Sequence, residues 1–334
     1  MRSPSKRQVA ITRGVVEWYL STHHGGPHDV GMIGTFCRAE TVGSVAVDRE
    51  SLECGSDEAL FRLFVTVAMF QRLRDETVMH ILRSLSPPDA FELTSLASLH
   101  KLSSGCLCPN ARTNQGIIAN CNLTKDQRGQ GTCNYAPQMS CYLKRHTQLL
   151  RRYGHFGKMP TSAALTVLDH GGSMRELRRR VFDAVVDPRA RAIALECALS
   201  EVWRVGNKLA NMYLSLVAAP NMGLRRPPWG EGLDWTWFVV VDRNVDLFLA
   251  SIGYSNGGTY EARSAFVRAL AEHINLRDLD ANLPSVHPRL VQQAMYLFMS
   301  SSNRAKAPDD CSVLGADACS VCPPALRNRC PLVS

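Results

Sequence analysis

Four cysteines crowd the end of the chain, in the order Cys311-x7-Cys319-x2-Cys322-x7-Cys330. Four thiolates this close, with a central C-x2-C, can close around one metal centre. The short step turns two sulfurs to one side, and the longer gaps let the chain wrap. Zinc and a 4Fe–4S cluster both suit four cysteines, and spacing alone does not choose between them. Five more cysteines, Cys106, Cys108, Cys121, Cys133 and Cys141, fall in one stretch, with His146 nearby as a spare ligand. They are candidates for a second metal site, zinc or iron–sulfur, although their gaps give no clean ligand count. Cys37, Cys54 and Cys197 stand alone and read as small buried hydrophobes.

Two further residues have the right type and place for chemistry. Lys208 follows a glycine at the start of an apolar helix in "VGNKLANMYL". A desolvated lysine there can act as a nucleophile, or its charge can hold a phosphate; the plain alternative is a surface lysine. Asp242 precedes "RNVDLFLASIGY", where Val245, Phe248, Leu249 and Ile252 share one helical face. That makes Asp242 an N-cap, a carboxylate fixed in place, able to stabilise a developing cation or to take a proton from an amine. Between them lies "RRPPWGEGLDWTWF" with Trp229, Trp235, Trp237 and Asp234. The tryptophans can wall a pocket for a flat ring, and core packing is an equal reading. Asp234 is a candidate for bonding a base edge or an amine.

Helices must position these groups. "DEALFRLFVTVAMFQRLRD" is amphipathic, with Leu60, Phe64, Val67, Ala68 and Leu73 expected on one buried stripe. Helices are expected again in "SAALTVLDH", "SMRELRRRVFDAVV", "PRARAIALECALSEVW", "YEARSAFVRALAEHI" and "HPRLVQQAMYLFMSS". "TWFVVVD" is short, apolar and β-branched. Residues 103–160 read as an irregular loop, too long to stand without a metal or ligand to organise it. The chain has 334 residues and a net charge of +8, which favours polyanionic partners, nucleic acid first. Basic groups recur at Lys144-Arg145, Arg151-Arg152, Arg178 to Arg180 and Arg225-Arg226. No secretory signal and no 18-residue apolar run is visible, so a cytoplasmic protein without a membrane span is expected. Twelve cysteines in such a compartment favour metal ligation over disulfides.

Taken in order, "FQRLRD", "VGNKLAN", "VVVDRNV" and the four-cysteine tail resemble the helix-hairpin-helix DNA glycosylase superfamily, in its iron–sulfur branch of endonuclease III and the adenine glycosylases. The likeness covers about residues 55–75 and 190–334. It implies an all-α, two-lobed fold with a DNA cleft between lobes and a 4Fe–4S cluster on the tail; the cysteine-rich insert stands outside the likeness as an addition to that fold. The expected organisation is 1–56 as N-terminal helices on the C-terminal lobe, 57–102 with 161–225 as a helical barrel carrying the hairpin, 103–160 as the insert, and 226–334 as the aspartate and iron–sulfur lobe. By position, Lys208 matches the Schiff-base lysine of bifunctional members and Asp242 the essential aspartate. Gln71 matches a glutamine that wedges into duplex DNA where a base is flipped out. Val205 and Gly206 match the hairpin that offers amides to a phosphate. Arg225 and Arg226 would add DNA contacts, and Trp229, Asp234, Trp235 and Trp237 would form the base pocket.

The chain departs from that pattern in the hairpin, which reads "EVWRVG", in the long span from Lys208 to Asp242, and in the insert. These departures resemble the amino acid:DNA transferases of phages that hypermodify thymine to evade restriction. That resemblance implies transfer of an amino acid, glycine or serine, through its amine to phosphorylated 5-hydroxymethyluracil in double-stranded DNA, in the host cytoplasm. The alternative is an endonuclease III-like bifunctional glycosylase and abasic-site lyase of base excision repair. A DNA-binding metalloprotein without activity is a third reading.

Overall fold

The structure is a computed structural model, and it describes residues 3–24, 32–71, 73–121, 141–151, 156–254, 258–300, 326 and 330. Its secondary structure is all helical, with no strand among the described residues. In chain order the α-helices are α1 (Lys6–Thr22), α2 (Gly34–Cys37), α3 (Ala39–Val42), α4 (Arg49–Glu53), α5 (Asp57–Met69), α6 (Asp75–Arg83), α7 (Pro87–Thr94), α8 (Leu96–Ser104), α9 (Asn114–Ala119), α10 (Tyr142–Leu149), α11 (Lys158–Asp169), α12 (Met174–Ala184), α13 (Pro188–Ser200), α14 (Asn207–Ala218), α15 (Arg243–Ser251), α16 (Tyr260–Glu272) and α17 (Pro288–Met299). None is long and apolar enough to cross a membrane. Two compact units result, Ile33–Asp234 and Met1–Met32 with Trp235–Ser334. Helix α1 thus belongs to the smaller unit, and residues 33–56 belong to the larger.

The larger unit is built around α5. Ser56 caps it, and Asp57 and Glu58 in its first turn face the positive end of the helix dipole. From Ala59 to Met69 every residue but Arg62 is buried, so α5 is a core helix rather than a helix with one buried stripe. Leu73, expected on that stripe, lies beyond the helix end and is 41% exposed. Helices α7, α11, α12 and α14 pack on α5. Arg175 on α12 ties its guanidinium to Asp57 at 2.7 Å.

The insert is more regular than its composition suggests. Its described part holds a 3-10 turn at Pro109–Ala111 and the helices α9 and α10. Thr113 caps α9 through the Gly116 amide at 3.0 Å. Glycine is needed at 116, because a Cβ there would stand 2.6 Å from the Asn110 carbonyl oxygen. Glycine and asparagine disguise α9 as loop in the sequence.

In the smaller unit α1, α15 and α16 each pack on α17. Their core includes Val15, Val16, Phe248, Val267, Leu270, Val291 and Met295. "TWFVVVD" forms no strand: Trp235–Trp237 is a 3-10 turn, and Phe238 to Val241 run on as buried chain without helix or ladder. The Tyr260 hydroxyl stands in for a ladder. It donates to the Val239 carbonyl at 2.7 Å and lies 3.5 Å from the Val241 amide.

Helix α10 is held to α7 by a carboxylate. Glu92 accepts from His146 Nε2 at 3.0 Å and also meets Arg145. The hydrogen bond from His146 leads in holding Glu92 down at about 2, against an ordinary 4.5 and against burial. A carboxyl lowered on folding stabilises above its unfolded value, and that stabilisation disappears as pH falls through its folded value. Glu92→Gln is therefore expected to cost stability above pH 4.5 and to converge on the parent protein near pH 2, as read by denaturant unfolding at each pH.

Candidate functional site

The larger unit presents a helical hairpin. Asp187 caps α13 through the Ala190 amide at 2.7 Å, and Pro188 fills the first turn. After Ser200 the chain turns and re-enters helix at Asn207. Arg204 in the turn has φ +65, a left-handed conformation unusual for a side chain of its kind. Val205 is buried and pins the turn through its amide to the Val202 carbonyl at 2.9 Å. Across the hairpin, buried Asn211 on α14 donates to buried Glu196 on α13 at 2.7 Å.

Gly206 is the residue before α14. Its φ is −108, so left-handed freedom is not why glycine stands there. A Cβ at 206 would meet no atom of the chain within 4 Å. Lys208 sits half-exposed in the first turn of α14, which has no acidic residue, and it forms no ion pair among the described residues. The helix start therefore combines a dipole's positive end, a bare backbone and a cation.

The other predicted contacts are placed less openly. Gln71 is half-buried just past α5 and donates to the Ala68 carbonyl at 2.6 Å. The Arg225 amide donates to Glu53 at 2.8 Å, and its guanidinium, 91% exposed, stands 3.7 Å from the same carboxylate. Arg226 is exposed. Arg179 pairs with Glu176 and Asp183, and Arg180 with Glu176. Arg178 instead stacks on Phe182 and donates to the Glu231 carbonyl at 2.8 Å. Much of the basic run is thus internally neutralised.

Trp229 is 1% exposed and packs edge-on against Tyr213, with ring centres 5.8 Å apart; Tyr213 in turn meets Phe64. It is a core residue of the larger unit. The Asp234 carboxylate is engaged by Arg189. Trp235 and Trp237 belong to the smaller unit. There Trp235 lies 4.9 Å from the His287 ring, and Arg268 covers Trp237 at 4.0 Å.

Asp242 is where the sequence puts it. Its Oδ1 accepts from the Val245 amide at 3.0 Å and caps α15, while Val245, Phe248, Leu249 and Ile252 are all buried. Sequence reasoning missed Arg289 on α17, which is 4% exposed and donates to Gln292 and Gln293. Burial pushes it down to about 10, while Tyr19, Asp242, Tyr260 and Tyr296 act to raise it. The Asp242 carboxylate thus favours the charged form of Arg289 against the larger effect of its burial. An arginine after proline in a polar-looking helix start gave no hint of this.

Of the tail cysteines, Cys311, Cys319 and Cys322 lie outside the described residues, and Cys133 does too. Cys330 is half-buried against the core of the smaller unit. Leu326 beside it is fully buried, within 3.3 Å of where a Cβ on Gly14 would stand. Leu326 is therefore seated against α1. Cys106, Cys108, Cys121 and Cys141 gather in one apolar cluster with Ala111, Ile117, Leu143 and Leu165. Among the described residues no three His, Cys, Asp or Glu side chains are grouped as a finished metal site. His146 gives its Nε2 to Glu92. Cys54 and Cys197 are exposed and Cys37 is half-buried, contrary to their reading as buried hydrophobes. Cys54 ends the short α4, and Cys197 points off the solvent side of α13.

The chain matches no protein-family profile, no characterised protein and no solved structure. The cap at Asp242 can be separated from its charge. Asp242→Ala is expected to lower stability by about 0.5–2 kcal/mol, and Asp242→Asn, an equally good cap, to leave it within a few tenths. Thermal unfolding of the two variants checks this.

Proposed function

We propose that this protein is a DNA-base-processing enzyme of helix-hairpin-helix type, and within that class an amino acid:DNA transferase acting on a flipped thymine-type base. The observation that carries the reading is the start of α14. Gly206 and Lys208 meet there at a helix N-terminus without an acid in its first turn, on a hairpin locked by Glu196 and Asn211. Such an end favours a phosphate. Asp242 supports the reading as a fixed carboxylate on a second element.

In this reaction the substrate is 5-phosphomethyl-type uracil in duplex DNA, with glycine or serine as the amine. The amine nitrogen bonds the 5-methylene carbon while the carbon–oxygen bond to phosphate breaks. The phosphate leaves with the electron pair. Asp242 accepts the proton lost by the amine, and Lys208 offsets the charge on the leaving phosphate. Cys311, Cys319, Cys322 and Cys330 would hold a 4Fe–4S cluster, which would supply a rigid frame for the tail. The half-burial of Cys330 on the smaller unit's core fits that role.

Incubation of phosphorylated-hydroxymethyluracil DNA with labelled glycine or serine tests the reading. Label is expected in the DNA, reduced by about 100-fold or more in Asp242→Asn. DNA without label, together with abasic-site cleavage and a borohydride-trapped adduct through Lys208, would replace the transferase by a glycosylase and lyase.

A further inference from the structure

Three arginines share one side of α12. Arg175, Arg178 and Arg179 stand at i, i+3 and i+4, which are neighbouring positions on a helix surface. All three line an open cleft in the larger unit, together with Glu53 and Cys54 at the end of α4 and with Trp229. The cleft holds about 380 Å³, within the size range of sites that take small organic molecules. Gly206, Lys208 and Asp242 take no part in it.

Most charges around the cleft are already matched. Arg179 gives its nitrogens to Glu176 and Asp183. Glu53 accepts from the Arg225 amide and lies beside its guanidinium. Arg175 gives its amide and Nε to Asp57, and its terminal nitrogens make no hydrogen bond among the described residues. Arg178 is the exception, with no ion pair among the described residues. One of its terminal nitrogens donates to the Glu231 carbonyl, and its guanidinium carbon lies 3.9 Å over the Phe182 ring. Its Nε is buried and has no hydrogen-bond partner among the described residues. Burial disfavours its charge, Glu231 favours it, and Arg191 disfavours it. A guanidinium held in this way has a fixed plane and donors to spare, which suits two-point binding of an oxyanion. A buried donor without an acceptor costs free energy that a bound anion would recover.

We infer that this cleft binds the phosphomonoester of a small organic molecule, its phosphate taken by Arg178 and by the terminal nitrogens of Arg175. Two guanidiniums with separate free donors favour a phosphate, which offers three oxygens, over a carboxylate, which offers two. Glu53 is answered by Arg225, so the amine of a zwitterion would find its carboxylate already engaged. A bare phosphate would leave much of the cleft to water, and the organic group fills that space. The site lies within the larger unit and stands whether or not the transferase reading does.

Cys54 reports on the cleft, and Cys197, exposed on α13 and outside it, is the control. The full-length protein is alkylated with iodoacetamide, and the rate at each thiol is read by peptide mass spectrometry. Inorganic phosphate and thymidine monophosphate are expected to slow Cys54 and leave Cys197 unchanged, the monophosphate at lower concentration; thymidine is expected to do neither. In Arg178→Gln the monophosphate concentration that half-protects Cys54 is expected to rise about tenfold or more. Failure of the monophosphate to protect Cys54 overturns the proposal. Equal protection by thymidine overturns it as well, as does protection by duplex DNA or glycine in place of the monophosphate. Unchanged protection in a folded Arg178→Gln protein also overturns it, and if that variant does not fold, the parent protein alone decides.

Discussion

The buried hydrogen bond from Asn211 to Glu196 is the contact on which the hairpin depends. A carboxylate buried to 7% exposure must be met by donors or lose its charge. Here the donor comes from the next helix, so satisfying Glu196 fixes α14 against α13. With that pair set, the turn has little freedom. Val205 is pulled inward, Arg204 takes up a left-handed backbone, and Gly206 is left outside with Lys208 one helical step further on. The same pairing lets α14 lie on α5, where Tyr213 joins Phe64 and Trp229 in a run of edge-on rings. Core packing and the exposed helix end are two consequences of one buried interaction.

The two units solve different problems. The larger one carries the hairpin and spends its aromatic residues on its own core. The smaller one fixes a carboxylate. Tyr260 holds the chain before Asp242, the Val245 amide holds its side chain, and Arg289 lies buried in its field. A carboxylate so restrained gains little flexibility and loses little in orienting itself, which is the property a general base needs. The insert adds a third task, the bracing of the turn through Asn114 and Ser162.

What was legible in the sequence was what repeats over a few residues. The face of Val245, Phe248, Leu249 and Ile252 and the cap at Asp242 follow from 3.6-residue periodicity and local hydrogen bonding, and both are found. The helices from α11 to α17 were readable for the same reason. The role of Trp229 was not, because its neighbours Tyr213 and Phe64 are distant in sequence. Helix α9 was hidden by Gly116, whose purpose is a close approach to Asn110. Nothing in the sequence marks Arg289 and Lys158 as buried, since burial of a charge is decided by partners that periodicity does not reveal. The basic run at Arg178 to Arg180 misled in the other direction: its charge is largely answered by Glu176 and Asp183.

The central claim is that the start of α14 receives a DNA phosphate. Gly206→Glu tests it directly, because the position has ordinary φ and room for a side chain, so an added carboxylate changes charge without straining the fold. Duplex affinity of the full-length protein, measured at fixed low salt, is predicted to fall by about tenfold or more with an unchanged unfolding midpoint. Unaltered affinity in a folded Gly206→Glu protein would contradict the account.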